Sequence, residues 1–456
     1  MATHSVAHQH YQPQVLTKTP QEIRQDVLGQ TRTTTSAFKW ALLISGVMLL
    51  VGIIGFAIRL SDGFDKFSPW AYFTATFAWI LAVTASAPAF SITQRMLHSH
   101  WRRPMARISE MFAVVGVLST PIWFGGFYHW FKTPLIPQLL AVVFLFITGV
   151  FLLYVSSIPD LATYRDHESG FRKRLGQRLA GFWMGTPGQW KVLKTGQSLL
   201  GGLYFMMLIW VLTIFPAEWG MEIVPSYRDA IFPPWQALNG LQCAIAVTVL
   251  AMYILYRWGG YKEYIHLDQF WSSAKIMFSL SLLWMYFWFA GMITFWYGRR
   301  PNERAILDLF YFRNYGWAFL IVVICCFMIP LGVLIWNFIR KSIAGPAVVA
   351  CFILLGTLID KIRIYSASYS VADTRPDVFH TTQPAPLGLD ALPATLWPHG
   401  PDIMIVLGGI GGVVFIYMLA TKVLPVISMW EVAEGLMYRK TRKFLRRTIM
   451  VMGKSD

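Results

Sequence analysis

Charged side chains lie inside apolar stretches of this sequence, and such groups can bind or pass protons. The run HLDQFWSSAKIMFSLSLLWMYFWFAGMITFWYG, residues 266–298, has the length and apolarity of a membrane-spanning helix, yet Lys275 lies about nine residues, roughly 14 Å, inside it. That depth is near the middle of a hydrocarbon layer of about 30 Å. Because a lysine stem reaches only about 6 Å, we expect an interior lysine with a partner rather than one that snorkels to the interface.

The same helix carries further titratable groups nearer its first end. These are His266 and Asp268, and several serines add hydroxyls along the helix. Together they could line half of a proton path. Serine in a membrane helix also simply permits close packing, so both interpretations stay open.

A second charged group follows the apolar run PAVVACFILLGTLI, which is too short to cross a bilayer. Asp360, Lys361 and Arg363 must therefore lie inside the helix. Asp360 and Arg363 are three positions apart and can pair on one face. A structural ion pair and a role in proton or quinone chemistry are the two alternatives. Asn239 and Gln242, with the same spacing, form a polar face typical of interhelical hydrogen bonds.

The histidines and cysteines bear on cofactors. Only His129 and His266 lie near predicted spans, on opposite membrane faces, whereas a b-type haem needs two ligands at matched depth. The four cysteines stand in apolar runs without CxxC spacing. We therefore expect no catalytic, cofactor-binding or metal-binding residues in this chain. The candidate proton-path residues are His129, His266, Asp268, Lys275, Asp360, Lys361 and Arg363.

The composition places these groups in a membrane. Hydrophobic residues make up 55% of the 456 residues and charged residues only 14%, which is too apolar for a soluble domain. The net charge of +16 would suit nucleic acid in a soluble chain. Here the Lys and Arg cluster between apolar runs, as the positive-inside rule describes. We therefore exclude nucleic acid as a partner and include membrane lipid.

Ten apolar segments predict an all-α, polytopic membrane protein with about ten transmembrane helices. They are centred near residues 49, 82, 118, 147, 204, 245, 284, 325, 355 and 412. An even number puts both termini on one side, and most of the 39 Lys and Arg lie there, so we expect both termini in the cytoplasm. The predicted organisation is a cytoplasmic N-terminal arm (1–37), a membrane domain (38–425) and a basic cytoplasmic tail (426–456).

Several runs together resemble a known family. They are EWGMEIVPSYRDAIFPP, HLDQFWSSAK, WYGRRPNE, GTLIDKIRIYSASYS and KVLPVISMWE, within residues 38–435. The sequence is similar to the NrfD-like (PsrC-like) membrane subunits, specifically the ten-helix pair of bacterial alternative complex III. The second span, YFTATFAWILAVTASAP, lacks the Gly-Ile-Gly-His-Ala-Gly of the quinol-binding ActC type. The chain therefore looks like the sister subunit, the ActF type.

The resemblance implies an NrfD-like fold of two four-helix bundles plus flanking helices. It matches the family lysine to Lys275 and a Glu-Arg pair to Asp360-Lys361. By resemblance, the chain is a subunit of a quinol:electron-acceptor oxidoreductase that oxidises menaquinol or a related quinol in a respiratory or photosynthetic chain of the bacterial plasma membrane. The chain itself would be non-catalytic or proton-translocating.

The partners implied by the resemblance are the quinol-binding sister subunit and subunits that carry iron–sulfur clusters and haem c. Menaquinone and these redox groups would be bound by the other subunits. Two alternatives stay open: a secondary transporter, since charged residues in kinked helices also mark substrate sites, and a structural scaffold for the sister subunit.

The sequence departs from the family pattern at two places. The family's Ser-Thr step is Asp229-Ala230 here, and the serine and glutamine expected after the aromatic run are Ala290 and Gly291. These differences weaken a literal copy of the family's proton route.

Overall fold

A computed structural model describes residues 18–64, 66–116, 135–298, 300–374, 392–444 and 447–452. The α-helices in chain order are α1 (Pro20–Arg32), α2 (Ser36–Ser61), α3 (Ala71–Met96), α4 (Arg103–Glu110), α5 (Leu135–His167), α6 (Gly170–Ala180), α7 (Pro187–Pro216), α8 (Phe232–Trp258), α9 (Leu267–Gly298), α10 (Pro301–Leu307), α11 (Gly316–Val323), α12 (Ile329–Leu334), α13 (Asn337–Arg340), α14 (Ala344–Thr374), α15 (Gly400–Val423) and α16 (Met429–Tyr438).

Shorter elements complete the described chain. The π-helical turns are Ala217–Met221, Asp308–Phe312 and Ile324–Met328. The 3-10 turns are Ser68–Trp70 and His100–Arg102, which lead into α3 and α4. After α16, β1 (Arg439–Phe444) and β2 (Arg447–Met452) form an antiparallel hairpin.

Eight helical segments of the described chain are long and apolar enough to cross a membrane, so the protein is a membrane-embedded, polytopic helical protein. They are α2, α3, α5, α7, α8, α9, the α11–α12 segment and α15. The prediction of a helical membrane protein is confirmed. Of the other two expected spans, the one near residue 118 falls partly in 117–134, outside the described residues. The one near residue 355 is α14, which is less apolar because it contains the charged residues noted above.

Two helices, α3 and α14, form the centre of the bundle. The apolar window of α3 is entirely buried, whereas that of α2 is only 11% buried. α14 packs against α3, α8 and α11, and nearly all of its second half is buried. Because these two helices hardly face lipid, they can carry polar side chains that would be costly on a peripheral helix.

Glycines join α2 to α15. Gly52 and Gly408 face each other so closely that a Cβ on Gly52 would lie 2.4 Å from the Cα of Gly408. Added Cβ atoms on Gly55 and Gly411 would lie 2.6 and 2.5 Å from the nearest atoms of the facing helix. Small residues let membrane helices approach backbone to backbone, so this contact attaches the peripheral α2 to the bundle.

Segments rich in basic residues meet at one end of the bundle, which we call the basic end. It comprises α1, α6, the loop before α9 and the last turn of α15. Arg32 Nε lies 2.9 Å from Glu168 Oε1, and Arg172 Nη2 donates to the Lys422 carbonyl oxygen at 3.1 Å. Lys18 pairs with a carboxylate in the loop before α9. The structure thus brings together segments that the sequence assigns to one side of the membrane.

Parts of the expected arm and tail belong to the packed structure. Ile23 and Val27 of α1 are fully buried, in the same core cluster as Val426, Ile427 and Met429. The segment 426–438 therefore differs from the expected tail, because α16 packs on α1, α4 and α5. The hairpin that follows has the basic character predicted for this region.

Candidate functional site

In the described part of the bundle, two networks each contain at least three charged side chains that are buried or largely buried, and Arg59 and Asp402 form a separate buried ion pair. The first, the Asp360 network, consists of Gln236, Asn239, Asp360, Lys361 and Arg363, from α8 and α14. Asp360 Oδ1 lies 2.7 Å from Arg363 Nη2, and Asp360 Oδ2 accepts a hydrogen bond from Asn239 Nδ2 at 2.9 Å. Lys361 Nζ donates to Gln236 Oε1 at 2.5 Å. The predicted pairing of Asp360 with Arg363 is confirmed, because residues three apart on a helix face the same side.

A third element holds the arginine of this network. Arg363 Nη1 donates to the carbonyl oxygen of Phe310, in the π-helical turn after α10, at 3.0 Å. Its guanidinium carbon lies 5.9, 5.3 and 5.1 Å from the ring centres of Phe310, Tyr311 and Phe319. These contacts hold the guanidinium group of Arg363 in one position. The network then has one carboxylate for two basic groups.

The second set lies at the basic end and joins α3, α4, α5, α16 and the turn before α4. We call it the Glu431 network. Its members are Arg95, Arg102, Arg107, Glu110, Asp160 and Glu431.

Glu431 is the junction of the second network. Its Oε1 lies 2.5 Å from Arg95 Nη2, and its Oε2 lies 2.9 Å from Arg102 Nη1. Arg95 Nη1 lies 2.6 Å from Glu110 Oε1 on α4. Burial alone would raise the pKa of Glu431, but Arg95, Arg102 and Arg107 outweigh burial and hold that pKa below its usual value. Glu431 is therefore an ionised carboxylate at neutral pH.

Asp160 on α5 attaches the start of α16. Arg107 Nη2 lies 3.0 Å from Asp160 Oδ2, and Ser428 Oγ donates to the same oxygen at 3.2 Å. The backbone N–H of Met429 donates to Asp160 Oδ1 at 3.1 Å. A carboxylate before the first turn of a helix also stabilises the positive end of its dipole. The network balances three arginines with three carboxylates.

Hydroxyl groups on α3 lie between the two networks. Ser91 Oγ donates to Glu110 Oε1 at 2.8 Å. Ser86, about 7.5 Å earlier along the helix, is buried, and its Oγ has no hydrogen-bond partner within the described ranges. A Cβ on Gly240 would lie 2.8 Å from Ser86 Oγ, so this hydroxyl faces α8 beside Asn239. The helix α3 therefore has two buried hydroxyls about 7.5 Å apart along its axis, of which Ser86 faces α8 and Ser91 contacts Glu110.

Our sequence reasoning missed the Glu431 network and the two serines. A signal was present, because Glu110, Asp160 and Glu431 each stand within or beside apolar runs, where a carboxylate needs a cation. Glu431 ends the run KVLPVISMWE, which contributed to the resemblance. Nothing in the sequence indicated which arginines those carboxylates meet.

Lys275 lies on an exposed face of α9, contrary to the expectation of an interior lysine. Its Nζ is 3.8 Å from the ring centre of Trp271, one turn nearer the start of the helix. Lys341 Nζ lies 4.9 Å from the same ring. The lysine stem therefore bends back toward the helix end, which is the snorkelling arrangement that depth alone had disfavoured. The ring face replaces the expected partner through a cation–π contact.

His266 and Asp268 are half-buried at the start of α9. The His266 backbone N–H donates to Gln269 Oε1 at 2.8 Å, and Gln269 Nε2 donates to the Trp101 carbonyl oxygen at 3.3 Å. Gln269 thus links the start of α9 to the turn before α4, where Trp101 precedes Arg102 of the Glu431 network. His129 lies outside the described residues. The other sequence candidates fall at three separate places, namely the Asp360 network, the start of α9 and an exposed face of α9.

Two departures from the family pattern contact each other. Asp229 Oδ1 accepts a hydrogen bond from the Ile231 N–H at 2.8 Å, and a Cβ on Gly291 would lie 3.0 Å from Asp229 Oδ2. The carboxylate therefore occupies space that a side chain at 291 would need. Burial raises the pKa of Asp229, which lies in the connection before α8.

Comparison of the chain with protein-family models and with curated proteins finds no match. In the part of the chain that the structure describes, no group of three or more His, Cys, Asp or Glu side chains could hold a metal ion. The candidate functional groups among the described residues are therefore the two buried charge networks of this membrane-embedded bundle.

Proposed function

We propose that the chain is a membrane subunit of a quinol-oxidising electron-transfer complex, and that it anchors the complex and passes protons between the Asp360 network and the basic end of the bundle. One observation carries the proton role: ionisable groups are buried at two depths, with Ser86 and Ser91 between them. Ionisable groups inside a membrane are costly and commonly form proton relays. The redox role is supported by the resemblance of the sequence to the NrfD-like subunits.

Lys361 is the proton-exchanging group in this proposal. A guanidinium stays protonated, whereas a buried lysine loses its proton readily. When Lys361 releases its proton, the neutral Asp360–Arg363 pair remains, so the network no longer has an uncompensated charge. Serine hydroxyls both donate and accept hydrogen bonds, so Ser86 and Ser91 are two steps of the proposed relay, and water would have to bridge the gap of about 7.5 Å between them.

A scaffold role is the second candidate, and the Glu431 network favours it. Its three arginines and three carboxylates pair with one another across four helices. Such pairing can hold a bundle in register without moving any proton.

The first experiment is purification of the tagged chain in a mild detergent, with identification of co-purifying proteins, a visible spectrum and a quinol-oxidation assay. The proposal predicts co-purifying haem-bearing and iron–sulfur proteins that together oxidise quinol and pass its electrons to an acceptor. A chain that emerges alone and colourless, from membranes that still oxidise quinol normally, contradicts the redox role and favours the transporter alternative.

The second experiment separates a relay from a scaffold. In the reconstituted complex, we expect Ser86→Ala to lower the number of protons moved per electron without changing quinol binding or assembly. Ser45→Ala is the matched control, because Ser45 is a buried hydroxyl on α2 that donates only to its own helix, at 3.0 Å to the Leu42 carbonyl oxygen. Unchanged proton stoichiometry in both variants favours the scaffold.

A further inference from the structure

A polar cavity opens at the basic end, beside the Glu431 network. Its volume is about 150 Å³, roughly ten times the space that one water needs. The end of α3, the segment before α4, the second and third turns of α7 and the start of α16 surround it. Four of the lining residues are cationic: Arg95, Arg102, Arg103 and Lys194.

Cations outnumber carboxylates around this cavity. Glu434 also lines it, and its carboxylate lies 3.1 Å from Lys194 Nζ and 3.7 Å from Arg103 Nε. Together with the network behind it, the cluster has one more cation than it has carboxylates, which suits a ligand with a single negative charge. The cations are Arg95, Arg102, Arg103, Arg107 and Lys194, and the carboxylates are Glu110, Asp160, Glu431 and Glu434.

Several hydrogen-bond donors in the cavity wall lack acceptors among the residues that the structure describes. They include Gln197 Nε2, on a side chain only 9% exposed, Arg95 Nε and Arg102 Nε. The hydroxyl-bearing residues Ser99 and Ser198 also line the cavity. A buried donor without an acceptor is destabilising, so binding of a ligand with several acceptor oxygens would be favourable here.

A partly exposed apolar stripe continues along α7 from Ser198 in the cavity wall. Gly202, Phe205 and Ile209 follow Ser198 at the spacing of one helix face, and each is partly exposed. Met96 and Leu97, at the end of α3, add exposed apolar surface next to the cavity. A ligand whose polar group fills the cavity would therefore have its apolar part against this stripe.

We propose that the cavity binds the phosphodiester headgroup of an acidic glycerophospholipid, with its acyl chains along α7. The phosphodiester carries one negative charge and acceptor oxygens for the arginines, Lys194 and Gln197. The stripe distinguishes a lipid from free phosphate, which has no apolar part. Lipid binding at this site does not require the proton relay proposed above.

The test uses the full chain, depleted of lipid in detergent, and measures thermal stabilisation by added phosphatidylglycerol. Phosphatidylcholine and inorganic phosphate are the comparison ligands. We expect saturable stabilisation by phosphatidylglycerol and a half-saturating concentration about fivefold higher in Lys194→Gln, since one lysine near anionic lipid contributes about 1 kcal/mol. Lys191→Gln is the matched control, because Lys191 is exposed on the same helix and does not line the cavity.

A second variant, Gln197→Met, removes the unpartnered donor. We expect weaker stabilisation by phosphatidylglycerol with no loss of stability in the lipid-free protein. Equal effects of the two lysine variants would show diffuse surface attraction and overturn the site. Equal saturable stabilisation by inorganic phosphate and by phosphatidylglycerol would overturn the lipid assignment, and wild-type behaviour of both cavity variants would overturn the proposal as a whole.

Discussion

The two buried networks compensate their charges in different ways. In the Asp360 network, the carboxylate and its arginine lie three residues apart on one helix, and amide side chains from α8 complete the contacts. In the Glu431 network, carboxylates and arginines come from elements far apart in the sequence. The first has a surplus basic group, whereas the second is balanced.

Because of this difference, the Asp360 network can change its protonation state, whereas the Glu431 network holds helices together. A balanced set has no charge to lose without leaving another unpaired, and an unpaired buried charge is strongly destabilising. A set with a surplus lysine can lose one proton and become neutral as a whole. We therefore expect mutations to reduce stability most in the Glu431 network and to affect proton movement most in the Asp360 network.

The largest expected effect is that of Glu431→Ala, which leaves Arg95 and Arg102 without their shared carboxylate. Removing one partner of a buried ion pair typically costs about 3–5 kcal/mol, so we expect a protein that accumulates poorly or unfolds many degrees earlier. Thermal unfolding in detergent measures this. Glu434→Ala is the control, because Glu434 is partly exposed and its loss should cost about 1 kcal/mol or less. Similar losses of stability in both variants would contradict the proposal that the Glu431 network holds the helices together.

Asp360→Asn is expected to destabilise the protein less, by about 1–3 kcal/mol. Arg363 keeps its bond to the Phe310 carbonyl oxygen and its contacts with three rings, and Lys361 can release its proton to remove one of the two cations. Equilibrium unfolding of this variant beside Glu431→Ala gives the ranking. If Asp360→Asn proved the more destabilising of the two, the proposed contrast between the networks would be reversed.

A smaller, pH-dependent effect should come from Glu431 alone. Its pKa is lower in the folded protein than the unfolded value of about 4.3, so its ionisation contributes stability above that pH. This contribution should be lost as the pH falls from about 4.3 toward the folded pKa. Unfolding temperatures of the wild type and of Glu431→Gln, measured over this range, should converge on acidification. Parallel curves would show that Glu431 has no pKa shift.

The smallest effect is expected for Lys275→Met. Because this side chain is exposed and its partner is a ring on its own helix, the substitution should change the unfolding free energy by no more than about 0.5 kcal/mol. Thermal unfolding of the isolated chain checks this. Proton stoichiometry in the reconstituted complex then tests its separate candidacy as a proton-path residue. A large loss of stability in the isolated chain would indicate that Lys275 lies in the protein interior.

The features that the sequence predicted are those that depend on composition and on the periodicity of a single helix. The membrane class follows from composition and long apolar runs, and the Asp360–Arg363 pair follows from the periodicity of the helix. The partners of Glu431 could not be predicted, because Arg95 lies 336 positions away and only helix packing brings them together. The exposure of Lys275 could not be predicted either. Apolar residues lie on all sides of α9, and no polar stripe marks its outer face.

During synthesis, α2 enters the membrane long before the helix that packs against it exists. Gly52 and Gly408 are 356 positions apart, so at about 5–20 residues per second the earlier helix waits on the order of 20–70 s. Throughout this interval its glycine face has no helix against it. Insertion factors or lipid must cover that face, and a nascent chain that stalls before α15 presents it to proteases and to other newly made helices.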